Sequence, residues 1–74
     1  MTSTIETIGR RRILEYIEDH PEGCHLWDML SYIGIGENLA RIILRRLRLA
    51  REVRYEYIQY HGYRYYPLGG ESDA

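Results

Sequence analysis

The chain has 74 residues, of which 45% are hydrophobic and 28% are charged, and its formal net charge is -1. A chain this short forms one domain and buries only about 60% of its unfolded surface, which leaves little room for a catalytic cleft. The composition is typical of a folded domain. It excludes a disordered chain, because disordered chains have low hydrophobicity and high net charge.

The sequence predicts neither a transmembrane segment nor a secretory signal. Its apolar stretches are much shorter than the roughly 18 to 20 residues that span a bilayer. The first eight residues lack the basic segment and apolar core of a secretory signal. The single cysteine, Cys24, excludes a disulfide within one chain. We therefore expect a cytoplasmic protein with no membrane contact.

Positive charge is concentrated in the middle of the chain. Residues 41–54 hold six arginines against Glu52, whereas residues 1–40 hold three arginines against seven acidic residues. The isoelectric point near 6.3 lies below the value above 9 that is usual for a domain devoted to nucleic acid. Any basic surface is therefore expected to be local.

Two helices are predicted first, over residues 4–19 and 25–33, because apolar side chains recur there at helical spacing. Residues 20–23 (HPEG) end the first helix, since proline disfavours helix in the residue before it and glycine tolerates positive φ. Residues 34–36 (GIG) form a short turn after the second helix.

A third helix is predicted over residues 37–51. The centre of its apolar arc is expected at Leu39, Ile43, Leu47 and Ala50, flanked by Ile42, Leu44 and Leu49. Arg41, Arg45 and Arg48 fall together on the opposite face. Arg46 and Arg51 lie at the borders of the arc, with their stems over the core and their heads in solvent.

The last third of the chain changes to β-prone residues. Residues 53–59 and 63–68 predict two strands of a hairpin. Pro67, which removes a ladder donor, and the flexible pair Gly69-Gly70 mark the end of the second strand. The predicted fold class is thus α+β, with three helices followed by a hairpin. We expect one domain over residues 1–70 and a flexible acidic tail at 71–74.

This order of elements resembles a winged helix-turn-helix domain. Residues 34–47 (GIGENLARIILRRL) resemble the turn and recognition helix of small bacterial and archaeal regulators. Residues 62–68 (GYRYYPL) look like their second wing strand, and residues 12–17 (RILEYI) with the following HPEG resemble their first helix and turn. The chain departs from the pattern at Arg51, where these regulators usually place the glycine that ends the recognition helix.

The resemblance implies double-stranded DNA binding, with the third helix in the major groove. Asn38, Arg41 and Arg45 are the predicted base-reading residues, because arginine pairs with guanine and asparagine with adenine. Further contacts are predicted with the DNA backbone or the minor groove. They come from Arg48 of the third helix, from the hairpin residues Gln59, Tyr60, His61, Tyr63 and Arg64, and from Arg10 and Arg11 of the first helix. Their hydroxyl, amide and guanidinium groups suit phosphates.

Other interpretations of single residues stay open. The hairpin tyrosines either stack on bases, as in single-strand binders, or cover the core, which we expect for about half of them. Trp27 is either a core or an interface residue. His20, Cys24 and His25 match no standard zinc spacing, so we expect no metal and no cofactor.

The sequence therefore predicts a small sequence-specific transcription regulator that binds double-stranded DNA, and we expect it to act as a homodimer. No small-molecule effector site is evident, and no catalytic motif is present, so we expect no enzymatic activity. One alternative is a winged-helix module that binds other proteins within a larger assembly. Another is an architectural DNA binder without sequence preference.

Overall fold

The computed structural model describes residues 4–68 of the chain. Its elements are α1 (Thr4–Glu18), α2 (Leu26–Ile33), α3 (Glu37–Leu49), β1 (Arg54–Ile58) and β2 (Gly62–Tyr66). The two strands pair antiparallel as a hairpin. This α+β layout is consistent with a winged-helix arrangement and confirms the predicted fold class. The predicted tail at 71–74 lies outside the described residues.

The end of α3 explains the departure at Arg51. The helix ends at Leu49, two residues before the predicted boundary. The N–H of Arg51 donates to the Arg48 carbonyl at 3.1 Å, and the N–H of Glu52 donates to the Leu47 carbonyl at 2.9 Å. These two bonds form a Schellman motif, and Arg51 has the φ of 58° that glycine usually adopts at this position.

The core lies where the three helices meet the inner end of the hairpin. Its buried residues are Ile13, Ile17, Cys24, Leu26, Met29, Ile33, Ala40, Ile43, Leu44, Leu47, Val53 and Tyr65. All three helices and β2 contribute residues to this one cluster.

The apolar arc predicted for α3 was right at Ile43 and Leu47, which are buried, and wrong at its two ends. Ala40 and Leu44 are buried, whereas Leu39 is only half-buried and Ala50 is exposed. Apolar residues cover so much of α3 that their periodicity alone leaves the inward direction uncertain by a fraction of a turn. Packing against the other elements fixes that direction, and it leaves Ile42 and Leu49 exposed.

Gly9 allows α1 to approach the turn before α3. A Cβ atom at Gly9 would lie 2.7 Å from Cδ1 of Ile35 and 3.2 Å from Cδ1 of Ile43. Such distances are shorter than ordinary van der Waals contact, which accounts for a glycine inside a helix despite its poor helix propensity.

The link between α1 and α2 pairs with the hairpin, an interaction that the sequence analysis missed. The N–H of Cys24 donates to the Tyr65 carbonyl at 3.0 Å, and the N–H of Tyr65 donates to the Cys24 carbonyl at 2.7 Å. His25 adds a ring hydrogen bond through Nδ1 to the Tyr63 carbonyl at 3.0 Å. The hairpin is thereby attached to the start of α2 as well as to α3.

Candidate nucleic-acid interface

A groove of about 430 Å³ lies between α3, the start of α2 and the hairpin, and we call it the α3–hairpin groove. The polar and aromatic side chains that line it include Trp27, Arg41, Arg45, Arg48, Tyr57, His61 and Tyr63. None of the described residues that line it is acidic. The groove therefore combines positive charge with aromatic walls.

The exposed face of α3 carries the three predicted base-reading residues. Asn38, Arg41 and Arg45 are all exposed. Nε of Arg41 donates to the Glu37 carboxylate at 2.9 Å, in an exposed pair one helical turn apart. Arg45 is exposed and lines the groove, and within residues 4–68 its side chain has no hydrogen bond or ion pair.

Arg48, a predicted backbone contact, is instead held against the hairpin. Its Nη1 donates to the Tyr65 hydroxyl at 2.9 Å, and its Cζ lies 4.1 Å from the centre of the Tyr63 ring. Burial raises the pKa of Tyr65, while the charge of Arg48 acts in the opposite direction. Arg48 therefore fixes the hairpin relative to α3, which reduces its freedom to reach a phosphate.

The hairpin tip presents the predicted residues Gln59, Tyr60 and His61 to solvent. The N–H of His61 donates to the Ile58 carbonyl at 2.9 Å and closes the turn. Tyr60 has a φ of 73° and is 90% exposed. A bulky residue in left-handed conformation is uncommon and costs conformational energy. The backbone of the tip is therefore strained at Tyr60, and the ring of this residue is uncovered.

Strand alternation sorts the hairpin side chains into two faces. Tyr55 pairs with Tyr65 and Tyr57 with Tyr63, which places these four tyrosines on the face that looks toward α3. Within the described part of the chain, Tyr65 is the one hairpin tyrosine that is fully buried. Fewer of these rings belong to the core than the sequence analysis expected.

Three predicted contacts lie away from the groove. Arg64 is on the opposite face of the hairpin and packs over Gly23, where a Cβ atom would be 2.7 Å from its Nε. Arg10 forms an ion pair with Glu52 at the end of α3. Arg11 is exposed on α1 and does not line the groove.

Sequence reasoning missed Tyr57 as part of the groove and the ion pair between Glu37 and Arg41, and it left Trp27 undecided. Trp27 is 57% exposed and stacks on His25 with ring centres 4.6 Å apart, so it is not a core residue. The cross-strand partner of Tyr63 follows from the hairpin register, which the sequence did not fix. The four-residue spacing of Glu37 and Arg41 was the available signal for their ion pair.

Metal-binding residues do not cluster in the described chain. Residues 4–68 contain no group of three or more His, Cys, Asp or Glu side chains placed to hold an ion. Nδ1 of His20 bonds the Tyr16 carbonyl at 2.7 Å. Burial raises the pKa of the Cys24 thiol to about 12, so this thiol stays protonated.

None of the helices within residues 4–68 has the length and apolar character needed to span a membrane. Comparisons of the chain with protein-family models, curated proteins and solved structures find no match. Its function is therefore inferred from the fold and from the α3–hairpin groove.

Proposed function

We propose that this chain is a small winged helix-turn-helix transcription regulator that binds double-stranded DNA in a sequence-specific manner in the cytoplasm. The observation that carries the proposal is the exposed face of α3, where Asn38, Arg41 and Arg45 project side by side from the third helix of a winged-helix-like fold. An α-helix of this kind fits the major groove of B-form DNA.

Each of these side chains suits a base edge. Arg41 and Arg45 present planar guanidinium groups that pair with O6 and N7 of guanine, and Asn38 presents an amide that pairs with N6 and N7 of adenine. Asn38 lies in the first turn of α3, and the N-terminal residues of recognition helices are those that contact base edges.

The hairpin serves as a wing along the DNA backbone or in the minor groove. Because Arg48 holds Tyr65 and Tyr63, the hairpin keeps a defined position when α3 enters the major groove. The exposed tip then offers the Gln59 amide, the Tyr60 hydroxyl and the His61 ring to phosphate oxygens. Arg10 and Arg11 on α1 supply further contacts at the periphery.

A homodimer forms part of the proposal, since a single module of this size covers little DNA and regulators commonly read two half-sites. Sedimentation equilibrium of the chain, alone and with a selected duplex, tests it. A monomer at all concentrations, with and without DNA, contradicts this part.

The central experiment selects bound sequences from a random duplex pool at low and moderate salt, with Arg45→Ala beside the wild type. The variant is expected to lose about 5- to 150-fold in affinity for the selected site, because one guanine contact contributes about 1 to 3 kcal/mol. Arg46→Ala is the matched control, since it removes the same charge from the side of α3 that pairs with Glu6 on α1.

The outcomes separate the proposal from its rivals. An enriched motif that depends on Arg45 and not on Arg46 supports the regulator. Binding that depends on salt without any enriched motif favours an architectural DNA binder. Absence of duplex binding at low salt overturns DNA recognition.

The second candidate function is a module that binds another protein. It is favoured by the exposure of Trp27 and of the hairpin tyrosines Tyr57 and Tyr60, since aromatic side chains are enriched at interface centres. A stoichiometric complex with a partner protein that Trp27→Ala abolishes, combined with no duplex binding at low salt, would establish this function in place of the first.

A further inference from the structure

The two walls of the α3–hairpin groove carry aromatic rings that are not needed by the core. Trp27 from α2 is 57% exposed and Tyr57 from β1 is 66% exposed. His25 stacks on one face of the Trp27 indole with the ring planes 6° apart, which leaves the other face uncovered by this contact. Tyr57 touches Tyr63 in an edge-to-face arrangement at 5.4 Å. Both rings are thus available to a planar group from outside.

The positive charge of the groove indicates that a ligand with a planar group should also carry a negative charge. Arg45 lines the groove and has no ion-pair partner within residues 4–68, and none of the described lining residues is acidic. Arg48 is already held by Tyr65 and Tyr63, and Arg41 is paired with Glu37. Arg45 is therefore the arginine of the groove that is available to an anion. A ligand that combines a flat ring with a negative charge matches this surface.

Size restricts the ligand further. The volume of about 430 Å³ lies near the small end of the range of roughly 300 to 1,000 Å³ that is usual for small-molecule sites. It suits a single nucleotide unit. Because paired bases are stacked inside a duplex, only an unpaired base can present its flat face to these rings.

We propose that the α3–hairpin groove binds single-stranded DNA, with an unpaired base stacked on Trp27 and Tyr57 and the adjacent phosphate at Arg45. This activity goes beyond the proposed reading of duplexes by α3 and does not require it. Stacking accepts every base, so the groove has little sequence preference.

Trp27 makes the proposal directly measurable, because it is the only tryptophan of the chain. The full chain is titrated with an oligothymidylate of about 12 nucleotides, a length within the usual site sizes, while Trp27 fluorescence is recorded. An abasic strand of the same length and charge is titrated in parallel. The thymidylate is expected to quench Trp27 and to bind at least about 5-fold more tightly than the abasic strand.

Variants of Tyr57 test the stacking itself. Tyr57→Ala is expected to weaken thymidylate binding by about 5- to 150-fold, whereas Tyr57→Phe retains the ring and most of the affinity. Tyr57→Leu keeps an apolar side chain against Tyr63 but has no ring, and it is expected to behave like Tyr57→Ala. Tyr32→Ala is the matched control, because Tyr32 is 52% exposed on α2 and does not line the groove.

Equal binding of the abasic strand and the thymidylate, or wild-type affinity in both Tyr57→Ala and Tyr57→Leu, would overturn the proposal. Duplex binding measured on the same samples keeps the two ideas separate. A chain that binds a selected duplex but not the thymidylate retains the regulator function and loses the single-strand site. A chain that binds the thymidylate but no duplex retains the single-strand site and loses the regulator function.

Discussion

Replacing Arg51 by glycine is expected to stabilise the protein. Arg51 occupies the left-handed position of the Schellman motif at the end of α3, with a φ of 58°. An L-residue in this conformation is destabilised because its Cβ lies too close to the backbone, and glycine has no Cβ. Both hydrogen bonds of the motif come from backbone atoms, so Arg51→Gly leaves them intact.

The magnitude follows from two opposing terms. Relief of the left-handed conformation contributes about 1 to 2 kcal/mol. The greater freedom of glycine in the unfolded chain opposes this by about 0.5 to 1 kcal/mol. The free energy of unfolding should therefore rise by about 1 kcal/mol, which for a domain of this length corresponds to a Tm increase of roughly 4 to 8 °C.

Thermal and urea unfolding followed by circular dichroism measure this change. The matched control is Ala50→Gly, because Ala50 is the neighbouring residue and has an ordinary helical φ of -83°. Glycine there adds unfolded-state freedom without relieving strain, so a loss of about 0.5 to 1 kcal/mol is expected. If both variants lose stability to a similar extent, the strain attributed to Arg51 is refuted.

Three further changes test the core, a buried thiol and the α3 surface. Leu47→Ala should lower the free energy of unfolding by about 2 to 5 kcal/mol in urea titrations, whereas Leu49→Ala, on the exposed side, should change it by less than about 0.5 kcal/mol. The folded Cys24 thiol has its pKa raised to about 12 from 9.0, so it stays protonated where the unfolded thiol ionises. Its contribution to stability is complete below pH 9 and is lost as the pH rises toward 12, and Cys24→Ala should flatten this fall in alkaline urea titrations. Glu37→Gln should strengthen duplex binding in fluorescence anisotropy by freeing Arg41 and removing a negative charge; weaker binding would mean that Glu37 orients Arg41 for its base.

Much of the fold could be predicted because the local signals agree with one another. The HPEG segment and the two glycines at 34 and 36 separate three amphipathic stretches, and the change to alternating β-prone residues marks the hairpin. The helix and strand boundaries in the structure differ from the predicted ones by at most two residues. The arginine face of α3 also followed from helical periodicity alone.

The candidate site could be predicted only in part, because it is assembled from three separate elements. Periodicity placed Arg41, Arg45 and Arg48 on one face, but it could not show that Arg48 is held by Tyr65 from β2. Nor could it show that Trp27 from α2 faces the same groove as Tyr57. Contacts between residues far apart in the chain depend on packing directions, which one sequence leaves open.

The sequence by itself determined the element order, the helical faces and the local concentration of positive charge, since each depends on residues within a few positions of one another. Only the tertiary structure decided which arginine stays available to a ligand. Arg45 and Arg48 have the same chemistry and lie on the same helix, yet Arg48 meets the hairpin tyrosines and Arg45 meets solvent. That difference arises from the angle at which the hairpin packs on α3, which is set by the Cys24 bridge, the Tyr65 hydroxyl and the core beneath them.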